Sequence, residues 1–258
     1  MRALVNRYTG AVVLRNLLTW RQQMWPSLAS NVGNPLLFLF AFGFGLGAFV
    51  GEMDGVDYLT FIVPGMMAYS AMFAASFETS IGAFARFSLQ RSWDATLATP
   101  VRLIELLAGE LIWAAIKAVF AGFCVLVVGT LWGGVPSLMG GLLALPVLAL
   151  ASLGFAAFGL CGTAHAKSWE FFSYFFTFWV TPMFIFSGTF FAVDRFPPAI
   201  ETLAWLLPMT HLIAVIRPLT IGEPLALAPL AVHLIYPALL AITAFWLAHY
   251  RLSRRLFD

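Results

Sequence analysis

Charge is scarce in this chain. Asp, Glu, Lys and Arg make up 10% of its 258 residues, against about 25% in an ordinary soluble domain. So little charge cannot solvate a water-exposed surface, and a soluble enzyme is excluded. Lysine is nearly missing. Lys117 and Lys167 follow Ile116 and Ala166, so the loop G-x-x-x-x-G-K-[ST], whose backbone amides and lysine neutralise a polyphosphate, cannot be formed. Any ATP hydrolysis that serves this chain must take place on another polypeptide. The two cysteines, Cys124 and Cys161, lie in apolar stretches away from other ligands at metal spacing. They read as small buried hydrophobes, with neither a disulfide nor a metal site expected. His165, His211, His233 and His249 are scattered, with no H-E-x-x-H and no G-x-S-x-G. No catalytic set assembles, and with a net charge of +2 there is no basic patch for nucleic acid.

What the chain has in abundance is apolar surface: 61% of it is hydrophobic, and its mean hydropathy is +0.90. At ~20 apolar residues per crossing, this length holds six or seven helices joined by short loops, with no separate soluble domain. An ionised side chain at the bilayer centre costs ~2.5–3.5 kcal/mol, so uncharged runs mark the spans. The expected spans are 34–50, with Pro35 in its first turn, and 58–77, running a turn or so beyond Glu78. The third, 106–132, carries Glu110 and Lys117 inside it. After the turn Gly133-Gly134-Val135-Pro136-Ser137 come 138–163, then 171–193, and finally 228–249.

Segment 202–221 is short and interrupted by Pro208. With six spans and both termini inside, Arg2, Arg7, Arg15, Arg21, Arg86, Arg91, Arg102, Lys167, Arg251, Arg254 and Arg255 fall on the cytoplasmic side, and only Arg195 and Arg217 fall outside. A seventh span would carry the three C-terminal arginines across, so 194–223 reads as an outer re-entrant segment of short helices between spans five and six. Irregular backbone at that depth must be covered by protein or line a cavity, which suggests a pathway. Residues 1–26 read as a helix at the inner interface, with Leu4, Tyr8, Ala11, Leu14 and Leu18 in a stripe, touching headgroups or a cytoplasmic partner. They lack the unbroken apolar core of a signal peptide and read as part of the mature chain. The fold class is thus all-α integral membrane, one domain over 1–258, and no internal repeat is evident.

Ionisable groups at membrane depth carry the functional candidates. Glu110 and Lys117 are seven residues apart and share one helix face; with Glu78 they either hold helices together or form a polar stripe along a substrate route. Trp113 lies on the same span. The fifth span is crowded with aromatics, among them Phe175, Phe178 and Trp179, which would line a path for sugar rings or acyl chains or simply face lipid and neighbouring helices. The inner loop 86–105, containing RSWDATLATPVRLIE, holds a short helix led by Trp93-Asp94 and ended by Pro100. Taken alone, it would be a solvated connection.

Three stretches resemble a known family. FETSIGAFARFSLQRSWDATLATPVRLIELLAGELIWAAIKA at 77–118, VTPMFIFSGTFF at 180–191 and PMTHLIAVIRPL at 208–219 are similar to the permease subunits of type-2 ABC exporters, in particular the branch containing the nodulation lipo-oligosaccharide exporter permease. The resemblance runs the length of the chain and is more specific for the family than for the cargo. One departure is Lys117, at a position where the branch favours arginine; the charge is kept and a bidentate contact is lost. The resemblance implies a homodimer in the bacterial inner membrane with two copies of a separate ATPase, which would hold the ATP and magnesium. It implies that Gln90, Arg91, Ser92, Trp93, Asp94, Thr99 and Pro100 form a coupling helix that docks on that ATPase, with the N-terminal helix as a second contact. Pro208, His211 and Arg217 match the outer re-entrant motif and would form a gate or pack structurally. The expected cargo is an amphiphilic glycolipid such as a lipo-oligosaccharide. A drug or other lipid on the same architecture, a proton-coupled secondary transporter using Glu78 and Glu110, and a non-transporting membrane scaffold are the alternatives.

Overall fold

The computed structural model describes residues 6–22, 24–225 and 227–257, so Leu4 and Arg2 of the expected N-terminal helix lie outside the described residues. Helix α1, Arg7–Gln22, leads into α2, Met24–Phe40, which continues through wide π turns at Ala41–Leu46 to a last turn at Gly47–Val50. Gly51, at φ 71°, breaks it. Pro35 lies inside this helix and not in its first turn as expected. A proline removes a single backbone bond, and in an apolar setting neighbouring groups compensate, so the helix survives it. Two-residue strands, β1 (Glu52–Met53) and β2 (Val56–Asp57), pair antiparallel. The Asp57 carboxylate then caps α3 by accepting from the Leu59 amide at 3.0 Å.

Helix α3 runs Tyr58–Leu89, about two turns past the expected end, because two π segments, Glu78–Gly82 and Ala85–Leu89, carry it on. The short helix α4 is Ser92–Leu97. Helix α5, Leu103–Leu131, starts before its expected position because the Glu105 carboxylate reaches back to accept from the Arg102 amide at 2.8 Å and caps that end. Helix α6 is Leu138–His165 and α7 is Glu170–Phe186. The expected fifth span reached residue 193; it stops at Phe186 because Gly188 takes φ 83°. Helices α8, Pro198–Trp205, and α9, Pro208–Ile221, meet at an elbow of 86°. Helix α10, Leu227–Phe257, carries the C-terminal arginines on its last turns instead of ending before them, where cations suit the negative end of the helix dipole.

Four helices, α3, α5, α6 and α10, are long and apolar enough to cross a bilayer, and the bent α8–α9 pair makes a fifth if it is one broken span. Helix α7 and the apolar part of α2, Pro35–Val50, are shorter; at 1.5 Å per residue each is about 25 Å long against a hydrocarbon core of ~30 Å. The chain is otherwise helical throughout its described elements. Helix α3 is the axis of the fold: nearly all of its apolar stretch is buried, and α2, α5, α6 and α9 pack around it. Helix α10 is peripheral, leaning on α6 with Ile235, Leu239 and Ile242 exposed.

Small residues set how closely these helices approach. The amide of Ser137 bonds to the Thr220 carbonyl at 3.0 Å, and a Cβ on Gly140 would run into the carbonyl of Leu219. That contact is backbone and cannot rotate away. Gly140→Ala is therefore expected to push α9 off the start of α6, at a cost on the order of 1–3 kcal/mol for overpacking. A lowered thermal midpoint of the purified chain would register it; an unchanged midpoint would show that α6 and α9 do not meet there.

Candidate coupling site

Arg15, Arg86, Lys117 and Arg255 gather at one end of the bundle, and there the interior is polar. Glu110, on the third turn of α5, is fully buried. Its carboxylate accepts from Arg15 Nη2 at 2.9 Å and Asn16 Nδ2 at 3.1 Å on α1, and from Arg86 Nη2 at 2.6 Å near the end of α3. A fourth donor is the Trp93 indole on α4, at 3.2 Å. Glu78, on the same α3, accepts from Arg86 Nη1 at 2.8 Å and Lys117 Nζ at 2.6 Å. Two carboxylates and three cations thus form one connected cluster. The three cations compensate the two carboxylates, with Arg86 bridging both, where either carboxylate alone would be an uncompensated buried charge.

Local structure brings these groups together. Helix α1 turns Thr9, Val12 and Asn16 inward, while Leu14 and Leu18 of its apolar stripe face outward. Gly109 permits the contact, since a Cβ there would stand 2.7 Å from Val12 and 3.2 Å from the Thr9 carbonyl. The π turn at Glu78–Gly82 widens α3 and frees carbonyls from the helical ladder; the Thr163 hydroxyl of α6 donates to those of Thr79 and Ser80 at 2.8 and 2.9 Å. Arg15 also donates through Nη1 to Thr96 Oγ1 of α4 at 2.8 Å. Burial pulls the Arg15 guanidinium below its ordinary pKa, and the Glu110 carboxylate opposes that. From α10, Arg255 donates to the carbonyls of Ala166 and Thr163 at 2.7 and 3.2 Å and covers the Phe87 ring.

Helix α4 is pinned, not free. Arg91 enters it in the left-handed region, at φ 52°, uncommon for a residue other than glycine. Trp93 is wholly buried against Phe87, so it is no surface contact, contrary to the expectation that it docks directly. The exposed edge includes Gln90, Arg91 and Asp94, followed by Thr99 and Pro100, with Ser92 half-buried.

The expected path residues fall in two places. Glu78, Glu110 and Lys117 are in the charge cluster, and Trp113 is buried beside it against Trp20. Lys117 reaches Glu78, not Glu110, although both residues of α5 share a face as expected. Phe175 packs on Gly162 and Trp179 on Phe158 of α6, whereas Phe178 is exposed and stacks parallel to exposed Tyr174. Pro208 and His211 line a cleft of about 660 Å³ between α5, α6, α9 and α10. Arg217 is elsewhere, donating to the Gly188 carbonyl at 2.6 Å with its guanidinium 3.8 Å over the Phe61 ring. Arg15, Asn16 and Arg86 were not among the expected site residues. Arg15 had a signal, a charge placed on an otherwise apolar stripe.

Residues 8–221 match the ABC-2 type transporter family. The chain belongs to that family. It is 41% identical over 246 residues to nodulation protein J of Rhizobium meliloti (strain 1021), covering 95% of this chain and 93% of the relative. To nodulation protein J of Sinorhizobium fredii it is 38% identical, covering 96% and 94%. The inner membrane transport permease YadH of Escherichia coli (strain K12) is 26% identical over 79% of this chain and 77% of its own length. This ABC-2 chain is thus an integral membrane permease of an ABC exporter, the membrane component that an ABC ATPase serves.

Proposed function

We propose that this permease exports an amphiphilic glycolipid, of the lipo-oligosaccharide kind, outward across the bacterial inner membrane, driven by a separate ATPase. The observation that carries the mechanism is Glu110: one buried carboxylate binds the interface helix through Arg15 and Asn16, α3 through Arg86, and α4 through Trp93. A push on the exposed edge of α4, from Gln90 to Pro100, is passed to two long helices as a rigid-body displacement. The cation that each carboxylate already holds makes a proton relay through Glu78 and Glu110 the weaker reading. In this assignment α2 and α7 also cross, the elbow is re-entrant on the outer side with Pro208, His211 and Arg217 as its gate, and both termini lie inside. The chain works as a homodimer with two ATPase copies, meeting through the exposed Tyr174 and Phe178 face, with Phe175 and Trp179 behind it toward the path. The glycolipid cargo follows the likeness to the nodulation branch; a drug or another lipid would use the same machinery.

The test is reconstitution with a partner ABC ATPase. Hydrolysis should rise on adding a lipo-oligosaccharide and stay flat with a detergent of similar tail length. Nucleotide-independent uptake driven by a pH gradient would reject the proposal and favour secondary transport.

A further inference from the structure

We propose that His211 and His233 form a proton-sensitive latch that holds the α8–α9 elbow to α10 across the apolar cleft. The two Nδ1 atoms are 2.8 Å apart, and His211 Nε2 lies 2.9 Å from the Trp205 carbonyl. A carbonyl only accepts, so His211 carries its hydrogen on Nε2 and, when neutral, offers a bare Nδ1. The proton between the rings therefore belongs to His233 Nδ1, which donates. Around this bond the Trp205 ring lies nearly parallel to His233, at 5.7 Å and 21°, and the Tyr236 hydroxyl donates to the Leu206 carbonyl at 2.8 Å. The last residues of α8, the first turn of α9 and α10 are thus joined at one point.

The surroundings leave the pair to govern itself. Among the described residues lining the cleft, His211 and His233 are the only acids or bases; α5 and α6 contribute apolar side chains there. On α8 the nearest ionisable group is Glu201, a turn before Trp205; on α9 it is Arg217, engaged with Gly188 and Phe61; on α10 it is Tyr236. The charged groups of α3 are Glu78 and Arg86, both in the distant cluster, and that of α7 is Glu170, its first residue. One added proton goes to His233 Nε2 and leaves the N–H···N bond in place, strengthened by charge. A second must go to His211 Nδ1, which sets N–H against N–H and cation against cation. The latch therefore survives single protonation and opens on the second.

This inference concerns the elbow alone and stands whichever cargo or partner the chain serves. Spin labels at L203C and V232C, both exposed positions, in the full chain with C124A and C161A, in phosphatidylcholine nanodiscs, report the distance from elbow to α10. The wild-type pair should give one narrow distribution at about pH 7.5 and gain a longer one only well below the ~6.5 of free imidazole, at about pH 4.5 or lower, because the second proton must join a cation already in place. H233L should be broad at both. H233Q should stay narrow at both, because its amide can donate to or accept from His211 without charging. A wild-type distribution indifferent to pH, or one that shifts equally in H233Q, overturns the latch, and this comparison decides even if H233L does not fold.

Discussion

Glu110→Ala will loosen the whole basic end of the permease. It strips Arg15, Asn16, Arg86 and Trp93 of their shared acceptor at once. Breaking a buried ion pair from one side costs about 3–5 kcal/mol, chiefly because the other charge is left uncompensated. A thermal midpoint many degrees lower, with α1 opened to protease, is the expected result. Glu110→Gln keeps an acceptor without the charge and should fall between the two. Combining Glu110→Ala with Arg15→Met should cost less than the sum of the single changes, since the second removes a cation the first left unpaired. If Glu110→Ala stayed within about 0.5 kcal/mol of wild type, the range of a surface substitution, the cluster would not hold this end together.

Trp93→Ala will uncouple the chain more than it unfolds it. Deleting a buried Trp costs ~3–5 kcal/mol where the surroundings cannot close the gap, but Trp93 belongs to a six-residue helix, so the loss is concentrated in the seating of α4. The variant should still insert in the membrane, while ATPase co-purification and cargo-stimulated hydrolysis fall severalfold or more. Asp94→Ala separates docking from anchorage. Its ion pair with Arg91, at 3.3 Å, is exposed and is worth at most ~1 kcal/mol, so stability should be untouched and only ATPase affinity reduced. Full coupled transport in Trp93→Ala would remove α4 from the transmission.

The long apolar helices were legible because exclusion of charge is a one-dimensional signal: 58–77 and 138–163 each fall inside an observed helix, and 106–132 overruns one by a single residue. Their ends were not. Helix α3 runs on because π turns absorb Glu78 and Arg86 into the helix, and these become affordable only when Lys117 and Glu110 face them from α5. Helix α7 stops early at a glycine whose φ no hydropathy pattern reveals. At the site, Glu110 and Lys117 stood out as charges in an apolar run, but whether they paired with each other or with third residues depended on partners 24 to 95 positions away.

By itself, the amino-acid sequence determined that this protein lives in lipid, that it cannot bind a nucleotide through a lysine-bearing loop, and which residues at membrane depth demand partners. Those are properties of composition and spacing, and they hold for any arrangement of the helices. The tertiary structure alone decided that Trp93 points inward, that Arg86 bridges two carboxylates, and that His211 meets His233. Each depends on which helix faces run against one another, and that is set by packing at small residues such as Gly109 and Gly140, where a single methyl group would keep the partners apart.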